Sequence, residues 1–412
     1  MMRSSSLQKN IMLLRVGSKD STRFRILILN FGPQHPASHG VLRLVIVIIG
    51  EVVTKLDPHI GFLHRGTERL VEEHSYMNAA VFMDRLDYTT VLTQTHAYCL
   101  AVEQALAKSR LCIRTQLLRT IFDELSRILN HLLSIATHAL DIGTMAMLFW
   151  AFEDRERIME LYEYISGARM HTALYYPNQT LDHILTNELL AKILIFSRNS
   201  EKTYTEIYIA LYNNRVWRLR LCGIGVVSTE ISTSTTISGP VARSTGLQLD
   251  MRSGENYQYG YYASLTLRIF LGISGDSFDR FIIRLRELFE STRLIYNSLI
   301  ELSAYINISV YNMCSYSNNP HLKIESLIEL FRYSLGEYLL NISLVSGFVE
   351  SGKGIFGIML AANNTNRPYR LYIRSPAYMH LQLLPKLGAG HHIADLATLL
   401  GSIDVVFGEV DR

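Results

Sequence analysis

The amino-acid sequence predicts an α+β chain that is mainly α: a central helical bundle with small antiparallel β-sheets contributed by the N-terminal and C-terminal segments. Three observations lead there. Two short apolar, β-branched runs stand near the start, FRILILNF at 24–31 and VLRLVIVII at 41–49. Long stretches with apolar residues at helical spacing fill the middle. Short β-prone runs return between 340 and 375, punctuated by SGKG and NNTNRP turns.

Taken in order, the first two strands enclose GPQHPASHG, which has Gly at both ends and two prolines, and so reads as the loop of a hairpin that displays His35 and His39. A third strand is expected near Glu51–Leu56, followed by an irregular DPHIGFLHRG and a helix capped by Thr67. Helical spacing runs from Asn78 to Ala107, with Asp84, Asp87 and Tyr88 as polar interruptions. A second long helix covers Thr115–Leu140, where Glu124, His131 and His138 fall seven apart and share a face. A third covers Trp150–Ile165, and two more fill 185–220. The stretch 222–262, rich in Gly, Ser and Thr, is expected to be irregular or strand, and helices return at 277–306 and 322–338. This divides the chain into an extension (1–23), a hairpin region (24–66), a bundle (67–340) and a C-terminal α+β segment (341–412) packing on the same core.

Composition bounds the function. At 48% hydrophobic residues the 412-residue chain can build a large core, while 19% charged residues is below the roughly 25% of soluble domains. Part of the surface is therefore expected to be covered by something other than water. A net charge of +3 without a dense basic block gives no reason to expect nucleic acid. Cys99, Cys112, Cys222 and Cys314 form no C-x-x-C pair, so neither a disulfide framework nor an iron–sulfur or zinc signature is present. No stretch meets the roughly 20 uncharged apolar residues of a membrane span: Val41–Ile49 contains Arg43, and Leu132–Phe152 contains His138 and Asp141. Residues 1–19, with Arg3, Lys9, Arg15 and Lys19 and no acid, resemble a transit peptide that is expected to stay on the chain.

Four patterns bear on chemistry. The two loop histidines either supply protons near neutral pH or simply bond loop backbone. In FMDRLDY, Asp84 and Tyr88 are one helical turn apart with Arg85 nearby, which suits either a proton-donating phenol or an internal ion pair. His138 and Asp141, three apart at a helix end, suggest a carboxylate that orients the imidazole and raises its pKa. Gly352–Gly357 matches G-x-G-x-x-G, but no helix and no acid follow at the required distance, so it reads as a glycine hairpin. The same acid-free stretch, with Lys353, Arg367, Arg370, Arg374 and Lys386, faces either an acidic partner or water.

The strings NFGPQHPASHGVLRL, DPHIGFLHRGTERL, DRLDY, THALDIG, FEDRERIMELYEYISGARMH, NRPYRLYIRSP and DVVFGEVDR together resemble the hydrogenase-like 49-kDa, or D-type, chain of NADH–quinone oxidoreductase, respiratory complex I. The resemblance is dense over 28–180 and 322–412. It implies a fold like the large subunit of nickel–iron hydrogenases and a core subunit of the peripheral arm, at the matrix side of the mitochondrial inner membrane. It implies that His39 and Tyr88 flank the headgroup of ubiquinone, the substrate, and that Asp141 is linked to His39 in proton coupling. Arg85 and His171 would lie near the terminal 4Fe-4S cluster, which an adjacent iron–sulfur subunit holds. The partners implied are that subunit, other peripheral-arm subunits and membrane-arm subunits at the quinone-channel entrance.

The resemblance also implies that the chain binds no cofactor of its own. Hydrogenases hold nickel and iron through two cysteine pairs, and the matching regions here, HRGTER and DVVFGEVDR, contain none. A nickel–iron hydrogenase subunit and a metal-free scaffold are the two rival readings. The sequence departs from the family pattern at YYPNQTLDHIL from Tyr175, at Arg243-Ser-Thr-Gly246, at Lys353-Gly-Ile355 and over 251–275.

Overall fold

Burial alternates along Arg43–Ile49: Leu44, Ile46 and Ile48 are buried and the residues between them are not, as a strand with one covered face requires. The computed structural model describes residues 26–35, 38, 40–106, 111–179, 181, 185–253, 259–305, 324, 328 and 339–412. The N-terminal extension lies outside the described residues, as does the expected helix at 322–338 but for Ile324 and Ile328.

The strand just described, β2, pairs antiparallel with β1 (Ile26–Phe31) and β3 (Val52–His59), so that Ile46 faces Leu29 on one side and Leu56 on the other. Strand β3 runs further than expected, through Asp57-Pro58-His59. Pro58 is tolerated because β3 is an edge strand, where a missing N–H need not cost a ladder bond. The helix α1 (Thr67–Glu73) begins at Thr67, but the cap is Gly66 at φ 65, and no side chain caps it.

The expected helix over 78–107 is two helices, α2 (Tyr76–Met83) and α3 (Val91–Ala105), separated by Asp84–Thr90. Then come α4 (Ile113–Ile142), α5 (Met145–Ser166), α6 (Asn187–Tyr212) and α7 (Arg215–Leu221). With 30 residues, α4 is about 45 Å long. Among the described residues between 222 and 262 the chain forms short helices joined by irregular segments, including α8 (Thr229–Ser234) and α9 (Gly239–Ser244). The residues read as loop formers act as helix starters: Ser228 accepts from Ile231 N–H, and Pro240 sits in the first turn of α9. Helix α10 (Ser277–Tyr305) precedes a second antiparallel sheet, β4 (Ser343–Glu350), β5 (Ile355–Ala362) and β6 (Arg370–Arg374), in that order. The chain closes with α11 (Pro376–Leu381), α12 (Leu384–Gly388), α13 (Ile393–Ile403) and α14 (Phe407–Asp411). The architecture is α+β, mainly α, with a small antiparallel sheet toward each end of the chain.

Helix α4 is the axis of the bundle: Leu125, Leu132 and Ile135 pack with Ile158 of α5, Ile207 of α6 and Leu288 and Ile295 of α10. The N-terminal sheet does not stand alone, because Leu44 and Ile46 share a core with Leu384, Leu396 and Leu399. The C-terminal sheet lies on α3, with Val349, Ile358 and Leu371 in one core with Ala97 and Ala101. Gly347 permits that approach: a Cβ there would stand 2.2 Å from Ala97 O.

Candidate functional site

Asp84 is where α2 ends and the site begins. Its carboxylate accepts bonds from Thr95 Oγ1 and from Ala173 N–H at 2.6 Å, and its carbonyl O is 3.0 Å from His171 Nδ1. These bonds join DRLDY to the segment after GARMH, so Arg85 and His171 come together. Burial raises the Asp84 carboxyl to about 6. Burial also lowers the His171 imidazole, and the charges of Arg85 and Arg65 add to that. Arg85 itself turns its guanidinium onto Val81 O at 2.6 Å. The single helical turn expected for Asp84–Tyr88 does not exist, since both residues lie in the break between α2 and α3. The turn is stabilised by side-chain bonds from Thr89 and Thr90 to Asp87, which compete with helix at such residues.

Tyr88 is exposed, at 37%, as is Arg85 in the same segment. Its neighbours Asp87, Thr89 and Thr90 are buried. Tyr88 borders a crevice too narrow to admit a water molecule, lined also by Val91, Leu129, Arg155, Met159 and Tyr162. Burial of part of the ring raises its pKa, so it holds its proton at neutral pH. Behind it, Lys353 is fully buried and its Nζ lies 2.9 Å from Asp87 Oδ2, 2.5 Å from Thr89 Oγ1 and 2.5 Å from Asn130 Oδ1. Lys353 therefore belongs to no solvated basic face and meets no external acidic partner. The SGKG segment is the expected hairpin turn, closed by Ser351 N–H to Gly354 O at 2.8 Å.

At the N-terminal loop, Ser38 Oγ donates to Pro33 O at 2.8 Å and His35 O at 2.5 Å, and Leu42 N–H donates to Ser38 O at 3.1 Å. Gly32 is obligatory at the loop's root, because its φ is +82 and a Cβ would meet Leu42 O at 2.2 Å. His35 packs against Phe31 with ring centroids 4.2 Å apart and the rings tilted by 33°. His39 lies outside the described residues.

Asp141 and His138 occupy the last turn of α4, which Gly143 closes at φ 101. Both side chains pack on Gly401, where a Cβ would stand 2.9 Å from His138 Cδ2 and 3.2 Å from Asp141 Oδ2. Burial raises Asp141 to about 6. The expectation that Asp141 raises its neighbour is overturned: burial, then the charges of Arg284 and Arg280, push His138 down to about 3. Its Nε2 has no hydrogen-bond partner among the described residues, and its ring packs 5.2 Å from that of Trp217.

HRGTER and DVVFGEVDR meet in space. Asp411 accepts from Gly61 N–H at 2.9 Å and Leu63 N–H at 2.8 Å, and Arg412 Nη1 donates to Glu68 Oε1 at 3.0 Å. Among the described residues no group of three or more His, Cys, Asp or Glu side chains is arranged to hold a metal ion. Sequence reasoning missed Lys353, Asp404 and Glu409 as groups of the site. Burial works against the Lys353 charge, but Asp404, Asp87 and Glu409 hold its pKa above the usual value. The SGKG turn was legible; its reach to Asp87 was not.

Residues 141–412 match the family described as respiratory-chain NADH dehydrogenase, 49 Kd subunit. The NADH-ubiquinone oxidoreductase 49 kDa subunit of Paramecium tetraurelia is 44% identical over 94% of this chain and 100% of its own length. The protein of the same name from Prototheca wickerhamii is 42% identical over 95% of this chain and 98% of its own. That of Acanthamoeba castellanii, again of the same name, is 39% identical over 95% of this chain and 97% of its own.

Proposed function

Since the chain belongs to the 49 kDa subunit family of respiratory-chain NADH dehydrogenase, and is thus an oxidoreductase subunit of complex I, we propose that it forms the quinone-reduction site together with the adjacent iron–sulfur subunit. In this reading a 4Fe-4S cluster of that neighbour supplies electrons, and the chain itself holds no metal or cofactor. Ubiquinone is the substrate. Arg85 and His171, brought together by Asp84, face the neighbour's cluster. The membrane-arm subunits adjoin the quinone entrance, and the complex sits on the matrix side of the mitochondrial inner membrane. No helix among the described residues is long and apolar enough to cross a membrane, so the chain would be held there by its partners.

The chemistry is proton supply. Reduction of a quinone to a quinol takes two electrons and two protons. The Tyr88 hydroxyl binds one carbonyl oxygen and gives it a proton; the His39 imidazole serves the other. Asp141, with its carboxyl near 6, takes up the charge imbalance left at His39. In a low-dielectric cavity an uncompensated charge is costly, and that cost is what would drive proton translocation elsewhere in the complex.

The observation that carries this reading is Tyr88 itself: a protonated phenol, partly exposed beside a narrow crevice, between two buried polar neighbours, Asp87 and Thr89. Replacing Tyr88 with Phe is expected to lower quinone reduction by the assembled complex about 100-fold, within the usual range for loss of a proton donor. Assembly and NADH oxidation by an artificial acceptor should persist. Unchanged kinetics with short-tailed quinones would leave the scaffold reading in its place.

A further inference from the structure

The glycine-rich tip between β4 and β5 has a geometry more constrained than an ordinary turn needs. Gly352 packs against Asn130, where a Cβ would stand 2.8 Å from Nδ2. Gly354 has φ +145, and a Cβ there would meet Ser238 Oγ at 2.5 Å. Gly239 faces the same tip, with a Cβ position 2.3 Å from Lys353 O. Three glycines thus let the backbone come close enough for Lys353 to enter the core, and a buried ammonium is tolerated only with partners. Its partners are Asp87 and Thr89, the residues on either side of Tyr88, and Asn130, which in turn donates to Asp404 Oδ2 at 3.0 Å.

We propose that Lys353 is a positioning residue for Tyr88: it pins the residues flanking the tyrosine, and its charge offsets the phenolate left when Tyr88 gives its proton to the reduced quinone. The inference rests on the quinone reading above. In the step concerned the Tyr88 O–H bond breaks, an O–H bond forms on the quinol oxygen, and the negative charge stays on the phenolate until water reprotonates it. The electrons come from NADH through the complex. The lysine's field already opposes the burial that raises the Tyr88 phenol. Thr89 bonds both Asp87 and Lys353, so the three side chains hold one arrangement.

The test uses the assembled membrane complex carrying Lys353→Gln, Tyr88→Phe and the two together, assayed with NADH and a short-tailed quinone and normalised to an artificial acceptor that bypasses the quinone. Lys353→Gln is expected to lower kcat about tenfold with KM for quinone changed less than about twofold, and the double variant to be no slower than Tyr88→Phe alone. A kcat equal to that of the unsubstituted complex, or losses that multiply in the double variant, would overturn the proposal. If Lys353→Gln does not assemble, Thr89→Val serves: a kcat loss of about threefold that vanishes in the Tyr88→Phe background supports it, and no loss sinks it. A fully active Tyr88→Phe complex would instead remove the quinone reading. An impaired Tyr88→Phe beside a fully active Lys353→Gln would remove only the role of the lysine.

Discussion

Mid-way along α4, Glu124, Arg127 and His131 are buried among groups of opposite charge; in its last turn, His138 and Asp141 are packed with almost none. Glu124 takes Arg252 at 3.2 Å and Arg127 at 3.3 Å, with hydroxyls from Ser291 and Tyr262 at 2.7 Å each. His131 Nε2 meets Glu287 at 2.8 Å, which also meets Arg243 at 2.8 Å. Arg243 goes on to Glu350 at 2.9 Å and Asp250 at 3.3 Å. Against the pull of burial, these cations hold Glu124 and Glu287 below the usual carboxylate range. At the end of the same helix burial acts alone on Asp141, which rises, and at His138 burial with Arg284 and Arg280 outweighs Asp404, so the histidine falls. Both residues favour their neutral forms. One helix therefore carries a locked charge network and, in its last turn, a carboxyl at Asp141 that titrates near neutral pH.

The largest effect that tests this contrast is at Arg243. Replacing it with Leu removes the guanidinium shared by Asp250, Glu287 and Glu350 and leaves buried carboxylates without it, at a cost of about 3–5 kcal/mol. The expected outcome is loss of assembled complex on a native gel, or a marked fall in its melting temperature. A variant that assembles and melts like the unsubstituted complex would show that the network is not what holds α4, α9 and α10 together.

At Asp141 the expected effect is smaller and depends on pH. A carboxyl raised from its ordinary value to about 6 gives the folded state more protons than the unfolded state between those pH values. Its contribution to stability is complete below about 4 and is lost as pH rises through about 6. Asp141→Asn cannot ionise, so its melting temperature relative to the unsubstituted complex should rise between pH 4.5 and pH 8. For a partly exposed carboxyl the gain is on the order of 1 kcal/mol. A difference that stays flat with pH would mean that Asp141 is ionised throughout and titrates like a surface acid.

The sequence was a good guide wherever the pattern was local. The alternation of β2, the long helix of 115–140 and the β-hairpin made by SGKG could all be read from neighbours, because period and turn residues are local properties. It failed where a distant partner decides. Apolar spacing continues through Asp84–Thr90, so a single helix was expected, but Asp87 has Thr89, Thr90 and Lys353 to satisfy it in a non-helical turn. For the same reason Lys353 read as a surface cation: nothing near it in sequence announces Asp87, 266 positions away. His138 and Asp141 share the packing on Gly401 but make no pair, and the sign of the histidine's shift is set by burial together with Arg280 and Arg284 on α10. Glycine and serine in 222–262 suggest irregular chain or strand, but Ser228 caps α8 and Gly239 opens α9 against the β4–β5 tip.

Gly143 offers the finest test of that last turn. It ends α4 in the left-handed region at φ 101, and its N–H bonds back to Leu140 O at 2.9 Å. Nothing lies within 4 Å of where its Cβ would be, so substitution by Ala brings no collision and isolates the backbone strain. The expected cost is about 1 kcal/mol, seen as a small fall in melting temperature. Its diagnostic value lies in what should not change. If the C-terminal turn is held by the packing of His138 and Asp141 on Gly401, the pH dependence of quinone reduction in Gly143→Ala should match that of the unsubstituted complex. A displaced profile would place control of Asp141's proton affinity in the helix terminus itself, because loosening the cap would let water reach the carboxyl and lower it toward an ordinary value.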